Sequence, residues 1–103
     1  MNEFFTSANQ QYGLHSVMPD DVAITFELDG TDGGVWTLSR IGKQVRVETV
    51  ANSWSDCHLR CSVPDFRALV AGELGGREAF MNGRLRIRGD VGLMLRLLEA
   101  VVA

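Results

Sequence analysis

Residues 79–102 read AFMNGRLRIRGDVGLMLRLLEAVV. Leu85 and Ile87 alternate with Arg84, Arg86 and Arg88, a period of two that predicts a strand over residues 84–88. Gly89 then turns the chain, and Asp90 can cap a helix running to about residue 102. At 100° per residue, Gly92, Arg96 and Glu99 of that helix share one arc ~60° wide. Val91, Leu93, Met94, Leu95, Leu97, Leu98, Ala100, Val101 and Val102 occupy the rest. A surface helix normally carries an apolar stripe somewhat over 100° wide. This one is apolar nearly all round, so it must be covered on more than one side. A sheet can take one flank. The other can be taken by neighbouring helices, by another subunit, or by an apolar ligand.

Upstream the same logic finds more strands. Val22, Ile24, Phe26 and Leu28 alternate with Ala23, Thr25 and Glu27. Residues 29–34 read as a turn, where the Gly30–Gly34 stretch lacks the Gly-Lys-Ser/Thr ending of a phosphate loop. Trp36 and Leu38 follow, then a turn at 41–43, then Val45 and Val47. Residues 51–55 form a loop, after which Cys57, Leu59 and Cys61 share one face. Four strands with short connections predict an antiparallel meander. Ser62-Val63-Pro64-Asp65 opens a helix, with Ser62 as cap and Pro64 in the first turn. Phe66, Leu69 and Val70 form its apolar face, and Gly72 or Gly75-Gly76 ends it. Residues 77–82 can add one or two helical turns. Near the start, Phe4, Phe5, Ala8 and Tyr12 recur at helical spacing, closed by Gly13. The expected fold is α+β, a five-stranded, mainly antiparallel sheet with helices on one face.

The 103 residues suit a single domain, 1–103, and the formal charge of −3 gives no general reason to bind nucleic acid. Met1-Asn2-Glu3 lacks a basic leader, no run approaches a spanning helix, and Val101-Val102-Ala103 is not a peroxisomal address. The expected location is the cytoplasm. On a strand, Cys57 and Cys61 lie ~13 Å apart at ~3.3 Å per residue, too far for a disulfide, and His58 faces the other way. No metal and no cofactor are expected. Neither His15 nor His58 sits in a motif with a nucleophile, and Asp65 and Asp90 read as helix caps, so no enzyme activity is expected. Arg88-Gly89-Asp90 reads as a turn and cap. Arg84, Arg86 and Arg88 project from one strand face ~6.6 Å apart. They either pair across the sheet with residues such as Glu48 or attract anionic head groups at a membrane surface.

The chain resembles the sterol carrier protein-2 (SCP-2) family. Ile24-Thr25-Phe26-Glu27-Leu28, Gly30, Gly33-Gly34 and Trp36 match it. So do Cys61-Ser62, Asp65-Phe66, Leu69 and Gly72-Glu73-Leu74. The most specific match is Ala79-Phe80-Met81-Asn82-Gly83-Arg84-Leu85-Arg86-Ile87-Arg88-Gly89-Asp90. These stretches cover roughly residues 22–100 in family order.

The resemblance implies helices packed on the sheet around an apolar tunnel. It also implies non-catalytic binding and carriage of sterols, fatty acids, acyl-CoA, phospholipids or similar lipids. The implied walls are Phe26, Trp36, Val47, Phe66, Leu69, Val70, Phe80, Met81, Leu93, Met94, Leu97 and Leu98. Methionine and leucine walls adapt, so selectivity is expected to be loose. The alternative is a homodimeric or enzyme-associated accessory protein that presents a hydrophobic substrate, as in quinone biosynthesis. The family's N-terminal helix is usually longer than residues 2–12 can supply, which leaves the cavity more open or completed by a second subunit.

Overall fold

The first three strands are built by local pairing. In the computed structural model, which describes residues 1–102, β1 (Ala23–Asp29), β2 (Gly34–Ile41) and β3 (Gln44–Glu48) form consecutive antiparallel hairpins. The second hairpin turns on Gly42-Lys43 alone, with Gly42 at φ 62, the left-handed conformation that two-residue hairpin loops need. In the first hairpin Gly33 allows a close approach. A Cβ there would lie 2.2 Å from the carbonyl oxygen of Leu28.

The fourth strand departs from the expected meander. β4 (Cys57–Ser62) does not pair with β3. It crosses the sheet and lies parallel to β1, giving the order β3-β2-β1-β4-β5. The sheet is still mainly antiparallel, since only this one of its four pairings is parallel. The physical reason is burial. Ile24, Phe26 and Leu28 of β1 and Cys57, Leu59 and Cys61 of β4 are each at most 4% exposed, and pairing them puts both strands in the interior of the sheet. The crossing is short. Thr37 aligns with Glu48 on one side and, through Thr25, with His58 on the other. β3 therefore ends at the level where β4 begins. Residues 49–56 need only span three strand spacings, ~14 Å.

This crossover lies over the outer face of the sheet and buries two threonines there. Thr37 Oγ1 donates to the Val50 carbonyl at 2.7 Å, Thr25 and Thr37 hydroxyls lie 2.9 Å apart, and Thr25 and Ser55 hydroxyls 2.6 Å apart. One direction satisfies all three contacts: Ser55 donates to Thr25, Thr25 to Thr37, and Thr37 to Val50.

The helices cover the other face. α1 (Asn2–Tyr12) ends on Gly13 in the left-handed conformation. α2 (Val63–Val70) starts where the Asp65 N–H donates to Ser62 Oγ at 3.2 Å, with Pro64 in its first turn. α3 (Gly76–Met81) is a short helix. α4 (Val91–Ala100) starts where the Leu93 N–H donates to Asp90 Oδ1 at 3.0 Å. The last strand, β5 (Arg86–Gly89), begins later than its arginine alternation predicts. The N–H groups of Arg84 and Leu85 are still bound to the carbonyl of Ala79, at 2.9 and 3.1 Å, so the chain has not yet left the end of α3.

The core between the layers is aromatic at one end. Phe5 of α1 stacks on Trp36, with ring centroids 4.6 Å apart, and also meets Phe26 and Phe66 at 5.0 and 5.6 Å. The indole N–H of Trp36 donates to Asn2 Oδ1 at 3.0 Å. A helix of this length therefore closes its end of the sheet from within the chain, in contrast to the open or subunit-completed arrangement expected from its shortness.

Candidate functional site

Two spaces adjoin α4. The first lies between sheet and helices, where the resemblance implies a tunnel. In this conformation it is closed. The void among Phe4, Phe5, Phe26, Phe66, Leu97 and Leu98 is about 10 Å³, at most the room of one water. The second is an open cleft of about 350 Å³ between the α2–α3 connection and α4. Leu69, Leu74, Leu95, Leu98 and Val102 line it, and Arg77, Glu78 and Glu99 stand at its rim. Leu98 lines both spaces and so lies between the cleft and the aromatic core.

The cleft exists because Gly75 and Gly76 bring no side chains into it. A Cβ built on Gly76 would sit 3.7 Å from both Leu95 and Leu98, ordinary contact, with open space beyond. Thus the second apolar flank of α4 is covered largely by the chain itself, with Leu95 9% and Leu98 3% exposed where they line this cleft.

The residues expected as tunnel walls divide accordingly. Phe26, Phe66, Leu97 and Leu98 surround the small void, and Leu69 lines the cleft with Leu98. Trp36, Leu93 and Met94 are buried in the core and line neither space. Val47 and Phe80 are half-buried against the core. Val70 lies on a shallow outer groove beside Met1, Phe4, Arg67 and Ala71. Met81 requires a correction. It is 84% exposed, because α3 buries Ala79 and the position two residues on points away. Leu74, Leu95 and Val102 were not among the expected walls. Leu95 was legible as part of the second flank of α4. Val102 was legible in the same way, as the last apolar position of the expected helix, although α4 itself ends at Ala100. Leu74 lies outside any periodic element.

The arginine expectation also changes. Arg86 stands directly opposite Arg60, and Arg88 opposite His58. Glu48 lies on β3 at the far edge of the sheet and cannot reach them. Arg84 is in the turn before β5.

Cys57 and Cys61 are free thiols facing the core. Burial, with lesser contributions from nearby carboxylates, pushes each up to about 12. Neither supplies a thiolate near neutrality. Among the described residues no helix is long and apolar enough to cross a membrane.

Comparison with known proteins agrees with this architecture. Over 73 residues the chain is 36% identical to human hydroxysteroid dehydrogenase-like protein 2, covering 70% of this chain and 18% of that one. Over 71 residues it is 30% identical to human sterol carrier protein 2, covering 67% of this chain and 13% of that one. The shared region is thus less than a fifth of either relative. Among solved structures, a sterol carrier protein domain of Helicoverpa armigera superposes with a TM-score of 0.69 at 20% identity, over 92% of this chain and 80% of that one. UbiJ-SCP2, a ubiquinone synthesis protein, superposes with a TM-score of 0.67 at 17% identity, over 91% and 74%. The family model for SCP-2 sterol transfer matches residues 20–101, from the loop before β1 to the end of α4, and the chain belongs to that family.

Proposed function

We propose that the chain binds and carries a hydrophobic lipid, and that the lipid enters at the cleft over α4. The observation that carries this reading is the position of Leu98. It lines both an open, mostly apolar cleft and a closed aromatic core, so movement of its side chain is the simplest route by which a ligand in one would reach the other. The open cleft lies at the lower end of the ~300–1,000 Å³ typical of ligand sites, and a long ligand needs the core to yield as well. Each buried methylene contributes ~0.8 kcal/mol, so an acyl or isoprenoid chain needs few polar contacts. The rim carries two carboxylates, Glu78 and Glu99, against one guanidinium, Arg77. A head group without negative charge suits it better than a fatty-acid carboxylate.

The test is displacement of a fluorescent lipid probe, with native mass spectrometry of protein purified from cells. Gly76→Leu should fill the cleft without disturbing the core, so binding should fall while thermal stability is kept. Unchanged probe binding in that variant, with no co-purified lipid in the parent, would refute the reading.

The shared fold with UbiJ-SCP2 favours a second reading, in which the chain presents a hydrophobic substrate to an enzyme as its accessory subunit or as a homodimer. Light scattering separates the two. A lipid-loaded monomer fits the carrier, and a dimer that excludes the probe from the cleft fits the accessory.

A further inference from the structure

On the sheet face turned away from the helices, the strand register sets like charges against each other. Arg86 faces Arg60 and Arg88 faces His58 across the β4–β5 pair. Leu59 and Ile87 between them point to the core, so all four polar side chains share the outer face. Directly opposed like charges are destabilising. The chain is rich enough in carboxylates, at a net −3, to have paired them. Yet among the described residues Arg86 and Arg88 form no ion pair, and Arg60 shares only the exposed Asp29, at 3.2 Å. A hollow of about 290 Å³ opens among Arg60, Arg86, Arg88 and His58, with Glu27 on its β1 side. Three guanidinium groups against Glu27 and Asp29 leave a local excess of one positive charge (+3 −2). Protection of an edge strand accounts for charge on β5. It does not account for Arg60 and His58 on the interior strand β4, nor for the hollow they enclose.

We infer that this hollow is a binding site for a phosphate-type oxyanion, gripped by Arg60, Arg86 and Arg88 with His58 beside them. Planar guanidinium forks match tetrahedral oxyanions in geometry as well as charge, and a bound dianion removes the repulsion that the register creates. The site is separate from the lipid cleft, which lies on the helical side of the sheet. A lipid held there cannot place its own head group among these arginines. The anion is therefore a second ligand, either a free phosphate ester or the phosphate of a membrane lipid.

The experiment uses the full chain in two arms. In one, inorganic phosphate is titrated while arginine side-chain and backbone amide resonances are followed by NMR. In the other, co-sedimentation is measured with phosphatidylcholine vesicles with and without phosphatidic acid. Saturable shifts confined to residues 58–60 and 86–88 are expected. Arg86→Gln with Arg88→Gln should weaken binding by roughly tenfold to a hundredfold, the worth of a charge-assisted hydrogen bond. Arg84→Gln should leave it unchanged, and Glu27→Gln should strengthen it. The double variant should melt no lower than the parent, because repulsion is relieved. Phosphate binding without vesicle binding assigns a free phosphate ester, and stronger capture by phosphatidic acid vesicles assigns a membrane source. Absence of saturable binding in both arms overturns the inference, as do shifts spread over Arg40, Arg46, Arg77 and Arg96, or loss of binding in Arg84→Gln equal to that in the double variant.

Discussion

Replacing Phe5 with alanine would test whether the space between sheet and helices is closed in solution as it is in the structure. The ring is fully buried, stacks on Trp36 at 4.6 Å and meets Phe26, Phe4 and Phe66 at 5.0, 5.2 and 5.6 Å. Truncating a core phenylalanine to alanine costs about 3–5 kcal/mol, the loss growing with the cavity that remains. Four aromatic neighbours, each contributing ~0.5–1.5 kcal/mol beyond burial, place this site in the upper half of that range. A domain of this size has about 5–15 kcal/mol in total. The variant should therefore remain folded but lose about 4 kcal/mol, with its midpoint falling by roughly 15–30 °C. Urea titration followed by circular dichroism and by tryptophan fluorescence measures this, Trp36 reporting the core and Trp54, 87% exposed, giving a nearly constant background. The same variant should bind an apolar probe more strongly, because its new cavity adjoins the existing void. A loss below about 1 kcal/mol, at unchanged probe binding, would refute the packed aromatic core and mean that α1 is already displaced in solution.

Three further outcomes are expected. Asp90→Ala removes the acceptor for the Leu93 N–H and should cost about 1 kcal/mol by chemical denaturation, with Asp90→Asn recovering most of it. Cys57 and Cys61 have thiols raised to about 12, so the fold favours their neutral form. Their stabilising contribution is complete below the usual thiol value of 9.0 and is lost as pH rises from there toward 12. A Cys57→Ala, Cys61→Ala double variant should flatten that alkaline limb, and both thiols of the parent should resist alkylation until the chain unfolds. Asp32 accepts a hydrogen bond from the Met1 amine at 3.0 Å and another from Arg67 at 2.7 Å, and the amine, then the guanidinium, hold its carboxyl below the ordinary value. Its contribution is present above the usual aspartate range and disappears as pH falls through the lowered value. The stability difference between the parent and Asp32→Asn, small for so exposed a group, should vanish in acid.

Local signals in the sequence survive into the structure, and non-local ones do not. Ser62 and Asp90 announce helix starts because a cap is decided within four residues. Alternation at 22–28, 45–47 and 57–61 announces strands because the pleat has a period of two. The same alternation says which face a residue takes but not which strand lies beside it. The parallel β1–β4 pair was therefore invisible, as was the crossover that buries Thr25 and Thr37 on the outer face. The site divides the same way. The two apolar flanks of α4 could be read from Leu93 to Val102. The cleft beside one flank arises from Gly75 and Gly76, whose absent side chains leave no pattern. Met81 was misassigned because a helix as short as α3 has too few turns to define a face.

The crossover to β4 has a consequence for how the chain acquires its shape. β1 finds one neighbour at once, through a short hairpin, but the other is complete only when residue 62 has been made. Until then the most apolar strand of the protein presents an unpaired edge to its surroundings, the kind of edge that recruits other chains. A nascent or truncated chain that stops before Cys57 should be adhesive toward its own copies, and assembly should wait on a long-range pairing rather than on the fast hairpins that precede it.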